Sequence, residues 1–368
     1  MSNAELITSI ERLEEVTTLI LKKSAVAVDT EFFWERTFYP ILGLVQLATD
    51  DGSCWLVDTV KISDISALAP VLEAKSIVKV LHDAPQDLGI LSRATGAQSC
   101  NIFDTRVAAG FAGFESTCSL QSLLRETMDI ELSKAETRSN WIKRPLSESQ
   151  LRYAAGDVIH MLELREILIR SCSSDTVRSW LEEENALFDR AEVWLEREPR
   201  LMYLRVKGFS RLRARQLAIL REVAAWREME ARQRDWPRGH VLRDPVLIDI
   251  AQLAPYDYDQ LRSICDFPQR MPDGIMDGVL HAIKCGTEVP EENCPVPKKR
   301  NSGSSPHFKS RTQSLLAHIR SQCANYRVDS ALVASRADAE SLIELSESRA
   351  EESHPLTQGW RGTIIEGF

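Results

Sequence analysis

This sequence has no Cys-x-x-Cys pair, no apolar run of membrane length, no P-loop and no surplus of positive charge. Its eight cysteines (Cys54, Cys100, Cys118, Cys172, Cys265, Cys285, Cys294 and Cys323) stand singly. That spacing argues against a structural zinc site and, in a chain of this size, against a disulfide framework. A reduced, cytoplasmic protein is the expectation. No stretch approaches the roughly 18 consecutive apolar residues of a membrane span, so no membrane association is expected. The opening Met1-Ser2-Asn3-Ala4-Glu5 has no basic region leading into an apolar core, and no secretory signal is expected. The missing Gly-x-x-x-x-Gly-Lys-Ser/Thr removes a helicase context. Forty-five Lys and Arg against 54 Asp and Glu leave a net charge of −9, which by itself speaks against a nucleic-acid partner. The distribution reverses that inference locally. From Arg200 to His240 eleven basic residues face four acidic ones, so this segment is +7 on a remainder of −16.

With 368 residues the chain exceeds one typical core, and two or three domains are expected; 43% hydrophobic and 27% charged residues describe an ordinary globular protein. Thr8-Ser9-Ile10-Glu11 fits a capping box, and Ile7, Ile10, Leu13, Val16 and Ile20 follow at helical spacing. Ala25–Asp29, Ile41–Ala48 and Cys54–Asp58 then read as strands of an antiparallel meander, the last two joined by the turn Asp50-Asp51-Gly52-Ser53. Ile77–Leu81 and Asn101–Asp104 are strands alternating with helices, which favours an α/β layer on a mixed sheet. Beyond residue 105 the pattern is helical. Ser147-Glu148-Ser149-Gln150 is a second capping box, with Tyr153 and Asp157 inside the helix it opens. Leu212, Gln216, Ile219, Val223 and Trp226 mark one face of a later helical unit. Residues 287–308, with four prolines and Asn301-Ser302-Gly303-Ser304-Ser305, read as a linker before a last helical segment.

Four acidic residues lie in three separated segments: Asp29 and Glu31 in Val28-Asp29-Thr30-Glu31-Phe32, Asp87 in His82-Asp83-Ala84-Pro85-Gln86-Asp87-Leu88, and Asp157 in Tyr153-Ala154-Ala155-Gly156-Asp157. Residues two apart on a strand share a face, so Asp29 and Glu31 project together. Tyr153 and Asp157, four apart on a helix, share one as well. Asp87 opens a helix, where the N-terminus favours its charge. Each motif alone is common in ordinary folds: a strand end, a helix-terminal acid, a solvated helix face. Acids on apolar elements call for compensation, and oxygen ligands in this pattern suit a pair of Mg²⁺ or Mn²⁺ ions acting on phosphodiesters.

Taken together the segments resemble the DEDD superfamily of 3′–5′ exonucleases, in the branch that carries tyrosine in its third motif. Thr30-Glu31-Phe32-Phe33-Trp34-Glu35-Arg36-Thr37-Phe38-Tyr39-Pro40, Leu44-Val45-Gln46-Leu47-Ala48 and Ser133-Lys134-Ala135-Glu136-Thr137-Arg138-Ser139-Asn140-Trp141 narrow the resemblance to ribonuclease D. Trp226-Arg227-Glu228, Trp236-Pro237-Arg238, Ile250-Ala251 and Pro255 look like the helicase-and-RNase-D C-terminal (HRDC) module, and Ala331–Arg336 with Gly359-Trp360-Arg361 like a second such module. Asn140 and Asp83-Ala84-Pro85 depart from the family's pattern.

The resemblance implies a ribonuclease H-like mixed sheet with flanking helices, followed by two all-helical HRDC-type domains. The boundaries are a 3′–5′ exonuclease domain over residues 1–200, an HRDC domain over 205–288 and a second, HRDC-like domain over 309–368. It also implies that Asp29, Glu31, Asp87 and Asp157 hold two Mg²⁺ or Mn²⁺ ions and that Tyr153 orients the attacking water. Lys134 and Arg144 are candidates for substrate phosphate, and His82 and Gln86 are weaker candidates for substrate contacts. The expected activity is removal of nucleoside 5′-monophosphates from the 3′ end of RNA, with transfer RNA precursors and other 3′-extended structured RNAs as substrates and a monomer as the working form. Removing the chain from about residue 205 is expected to weaken RNA binding more than turnover. Two other readings stay open on the residues alone: a DNA 3′–5′ exonuclease and a non-catalytic RNA-binding scaffold.

Overall fold

Alternate residues of one strand decide the layering. In β2 the side chains of Val26 and Val28 enter one core and that of Ala27 enters another on the opposite face. A computed structural model describes residues 4–133, 136–296, 305–348 and 353–368, and they fall into two units: Met1–Phe33 with Leu42–Leu195 and Ser304–Phe368, and Trp34–Ile41 with Glu196–Gly303.

In the first unit β1 (Glu5–Ile7) leads to α1 (Ile10–Ile20), where Ser9 rather than Thr8 is the cap and accepts the Arg12 N–H. Then come β2 (Ala25–Phe33), β3 (Ile41–Ala48), β4 (Cys54–Asp58), α2 (Ala69–Glu73), β5 (Val78–Leu81), α3 (Pro85–Thr95) and β6 (Ile102–Asp104). Five helices follow: α4 (Thr105–Phe111), α5 (Leu120–Met128), α6 (Glu148–Ile159), α7 (Met161–Ser171) and α8 (Asp175–Asn185). The strands form a six-stranded sheet in the order β1-β4-β3-β2-β5-β6. It is mixed, as expected: β3 and β4 are antiparallel (Val45↔Val57), whereas β2, β5 and β6 run parallel (Ala27↔Val80, Val80↔Phe103). Strand β1, parallel to β4, escapes the sequence pattern because three residues carry no periodicity.

One face of the sheet buries Leu13, Val16 and Ile20 of α1 and Leu88 and Leu91 of α3. The other buries Ala154, Ala155 and Val158 of α6 with Leu164 and Leu168 of α7. Helix α6 starts where its capping box places it. Ser147 Oγ accepts the Gln150 N–H at 3.1 Å, and Gln150 Oε1 accepts the Ser147 N–H at 3.0 Å.

The second unit is helical, with α9 (Ala214–Arg234), α10 (Arg238–Val241), α11 (Asp244–Leu253), α12 (Tyr258–Ser263) and α13 (Asp273–Thr287) around Leu220, Val223, Leu247, Ile250 and Val279. The segment Trp34–Ile41 belongs here, although 1–200 was expected to be one domain. Phe38 is buried beside Ala231 and Val241, the Arg238 guanidinium lies 4.5 Å from its ring centre, and the Tyr39 N–H donates to Asp235 at 2.9 Å.

The last helices, α14 (Pro306–Tyr326), α15 (Arg336–Ser348) and α16 (Gly359–Ile365), do not stand apart as a third unit. Leu315, Ile319, Trp360 and Ile364 fill the same core as Phe111, Leu168 and Trp180. Asp329 accepts the N–H and O–H of Ser116, and Arg361 forks onto Glu184 at 2.6 and 2.7 Å. The apolar faces of these helices are buried against one another and against the core that α4, α7 and α8 line. The expected linker narrows to the stretch between Thr287 and Pro306, of which 297–304 lie outside the described residues.

Candidate active site

Strand β2 runs on to Phe33, so Asp29 and Glu31 sit within it and not at a strand end. They share the face that α6 covers, and α6 presents Asp157 there. One carboxylate oxygen from each of Asp29, Glu31 and Asp157 falls within 4.8 Å of the others. Asp87 comes from the opposite side. It lies in the first turn of α3, and the inward hydroxyl of Thr30, on the other face of β2, donates to its carboxylate.

Besides Thr30, one residue outside the predicted set holds this geometry. Asp104, at the end of β6 and 2% exposed, accepts the N–H groups of Asp83 at 3.2 Å and Ala84 at 2.8 Å, immediately before α3. The same carboxylate caps α4 through the N–H groups of Arg106 and Val107. Asp83 is thereby kept at φ 65°, a left-handed backbone uncommon outside glycine, and its side chain pairs with Arg106 at 2.5 Å. The departure Asp83-Ala84-Pro85 is thus the turn that delivers Asp87. The signal for Asp104 was an acid between a strand and a helix, which reads as an ordinary cap.

Electrostatics set the four acids apart. Burial, with the charges of Asp87, Asp157 and Glu31, raises the Asp29 carboxyl well above the ordinary carboxylate range. Burial and then Asp157 and Asp87 push Glu31 up to about 9. Asp87 is pushed up to about 7 by burial, against the hydrogen bond from Thr30, and Asp157 to about 7 by burial, against one from Tyr153. Tyr153 is itself raised above the usual phenol range by burial and by Asp157. None of the leading influences on the four acids is a lysine or arginine. Largely desolvated, partly exposed carboxylates that repel one another, with hard oxygen donors on one face, fit a divalent cation.

The remaining candidates divide. Lys134 lies outside the described residues. Arg144 turns inward: Nε and Nη2 clamp Asp58, which is 2% exposed, at 2.8 and 2.7 Å, and the guanidinium also donates to the carbonyls of Gly43, Trp141 and Lys143. With every nitrogen engaged it supports the loop ahead of α6 and is no free hand for phosphate. His82 Nδ1 meets Thr105 Oγ1 at 2.9 Å, and burial lowers its pKa. Gln86 is exposed on the first turn of α3, next to Asp87.

A 3′–5′ exonuclease family model matches residues 4–172, and an HRDC domain model matches 216–283. Ribonuclease D of Desulfotalea psychrophila is 36% identical over 100% of this chain and 98% of its own length. The chain belongs to the ribonuclease D family. Ribonuclease D of Pseudomonas paraeruginosa is 40% identical over 73% of this chain and 71% of its own. The crystal structure of Escherichia coli RNase D, described as an exoribonuclease involved in structured RNA processing, is 27% identical. It covers 98% of this chain and 96% of its own, with a TM-score of 0.85. Ribonuclease D membership makes this chain a hydrolase with a 3′–5′ exonuclease domain, and the DEDD exonuclease family implies divalent metal ions.

Proposed function

We propose that this chain trims RNA from the 3′ end and releases nucleoside 5′-monophosphates, using two Mg²⁺ or Mn²⁺ ions held by Asp29, Glu31, Asp87 and Asp157. The convergence of Asp29, Glu31 and Asp157 oxygens within 4.8 Å of one another carries this reading. When bound, such ions activate water and neutralise charge on the phosphate and the leaving oxygen. In hydrolysis water adds at phosphorus, the bond to the 3′ oxygen of the preceding nucleotide breaks, and that oxygen takes up a proton. Tyr153 keeps its phenolic proton at neutral pH, because burial and Asp157 raise its pKa. Its role is therefore to orient the water by hydrogen bonding. Thr30 steers Asp87, and the Asp104 clamp steers the turn before it.

RNA as substrate is supported by the ribonuclease D relatives that match along the full chain. Transfer RNA precursors and other 3′-extended structured RNAs are the proposed targets, and a monomer is the proposed working form. Eight free cysteines support a reduced, cytoplasmic setting. No helix among the described residues is long and apolar enough to cross a membrane.

The test is a time course on 3′-extended transfer RNA with Mg²⁺ or with chelator, analysed for mononucleotides. Mononucleotides should accumulate only with the ion. Asp29→Asn and Asp157→Asn should each abolish release while RNA binding survives. Normal cleavage by both variants would overturn the metal assignment. Faster loss of a matched single-stranded DNA would move the substrate to DNA.

A further inference from the structure

The helical unit contains a cavity of about 320 Å³ that the hydrolytic site does not use. Its charged lining is Arg205, Arg227, Arg238, Arg243 and Asp244, four guanidinium groups against one carboxylate. Two of the arginines are fixed in the wall. Arg227, with a side chain 6% exposed, donates from Nη1 to Asp244 at 2.8 Å and to the Leu242 carbonyl at 2.9 Å. Its buried Nε has no hydrogen-bond partner. Arg238 is held by Glu228 through Nε and Nη2 and by the ring of Phe38. Asp244 is the one carboxylate of the lining, and its second oxygen also accepts the Lys207 N–H at 3.2 Å. The other two arginines, Arg205 and Arg243, are exposed and form no ion pair among the described residues.

Arg205 and Arg243, unpaired on a cavity whose other two arginines are already engaged, leave a local excess of positive charge that suits an anion with several acceptor oxygens. A phosphate group has that geometry, and arginine forks match it. The rest of the lining, Met202 and Gly239, includes no aromatic ring on which a base could stack. The occupant is therefore recognised through its phosphate. We infer that this cavity seats a backbone phosphate of the RNA. This rests on the exoribonuclease reading above and adds to it the place where the helical unit grips the strand.

The test uses the full chain carrying Arg205→Ser and Arg243→Ser together. Anisotropy of a fluorescein-labelled single-stranded RNA is followed in chelator between 50 and 200 mM salt. A second chain carrying Arg211→Ser and Arg213→Ser removes the same charge from exposed positions outside the cavity. The cavity variant should bind roughly tenfold more weakly and show a log–log salt slope shallower by about 1. The second chain should change far less. Equal loss from the two pairs, or no loss from the cavity pair, overturns the site. So does stabilisation of the wild type alone by inorganic phosphate with RNA affinity unchanged, which would assign the cavity to free phosphate. A wild-type chain that binds RNA but releases no mononucleotide would instead fail the exoribonuclease reading and leave the cavity test intact.

Discussion

At the scale of single residues the site is a set of carboxylates that the fold keeps close against their own repulsion. Glu31, at about 9, and Asp87 and Asp157, at about 7, take up protons in the folded chain more readily than in the unfolded one. The folded state therefore binds more protons between pH 4 and 9, and stability falls as pH rises through that window. With chelator present, the melting temperature should drop as pH climbs from 6 to 9. Asp29→Asn should flatten that fall and exceed the wild type by a few degrees at pH 9, because it removes one of the repelling charges. Adding Mn²⁺ should reverse the order of the two proteins. Melting curves at three pH values read this directly, and a wild type more stable than the variant at pH 9 in chelator would contradict it. The four acids were legible as residues, since their spacing shows on a strand and a helix. Thr30 and Asp104 were not, because a buried hydroxyl and a capping acid acquire meaning only from the groups they reach.

At the scale of elements, the loop ahead of α6 is held by Arg144, a residue expected to meet substrate phosphate. Arg144 looked available because nothing local to its sequence pairs with it. Its partner, Asp58, is 86 positions away at the end of β4. A ligand of the loop thus lies on the sheet, and Gly43 explains the close fit: a Cβ there would lie 2.4 Å from the Trp141 carbonyl oxygen. Removing one member of a buried pair strands the other charge, a loss of about 3–5 kcal/mol. Arg144→Met and Asp58→Asn should both lower the melting temperature markedly, while KM for RNA in the folded fraction stays near the wild-type value. An Arg144→Met chain of normal stability with a raised KM would restore the phosphate contact. Helix α6, in contrast, was placed from sequence to the residue, because a capping box is a local arrangement.

For the whole molecule, the C-terminal helices change what a truncation reports. Trp360 is 1% exposed and packs on Phe111 and Trp180, with ring centres 5.0 and 5.9 Å away. A chain ended near residue 205 loses this packing along with the helical unit, so it should lose turnover as well as RNA binding. Trp360→Ala alone should destabilise the first unit by about 3–5 kcal/mol, seen as a lower melting temperature and faster proteolysis. No change in either would place the C-terminal helices outside that core. The expected third module resembled its family counterpart in motif, but a helical pattern says only that an apolar face exists and not which surface it meets.

By itself the sequence determined the mixed α/β character, the start of α6, the acids that share faces and the family. All of these depend on local periodicity, on capping or on the identity of short motifs. Only the tertiary structure decided that Asp87 is held by Thr30, that Arg144 is consumed by Asp58, and that residues on both sides of the helical unit close one core. Each of those rests on pairing between distant positions, and a buried charge must be paired with whatever partner the fold brings to it.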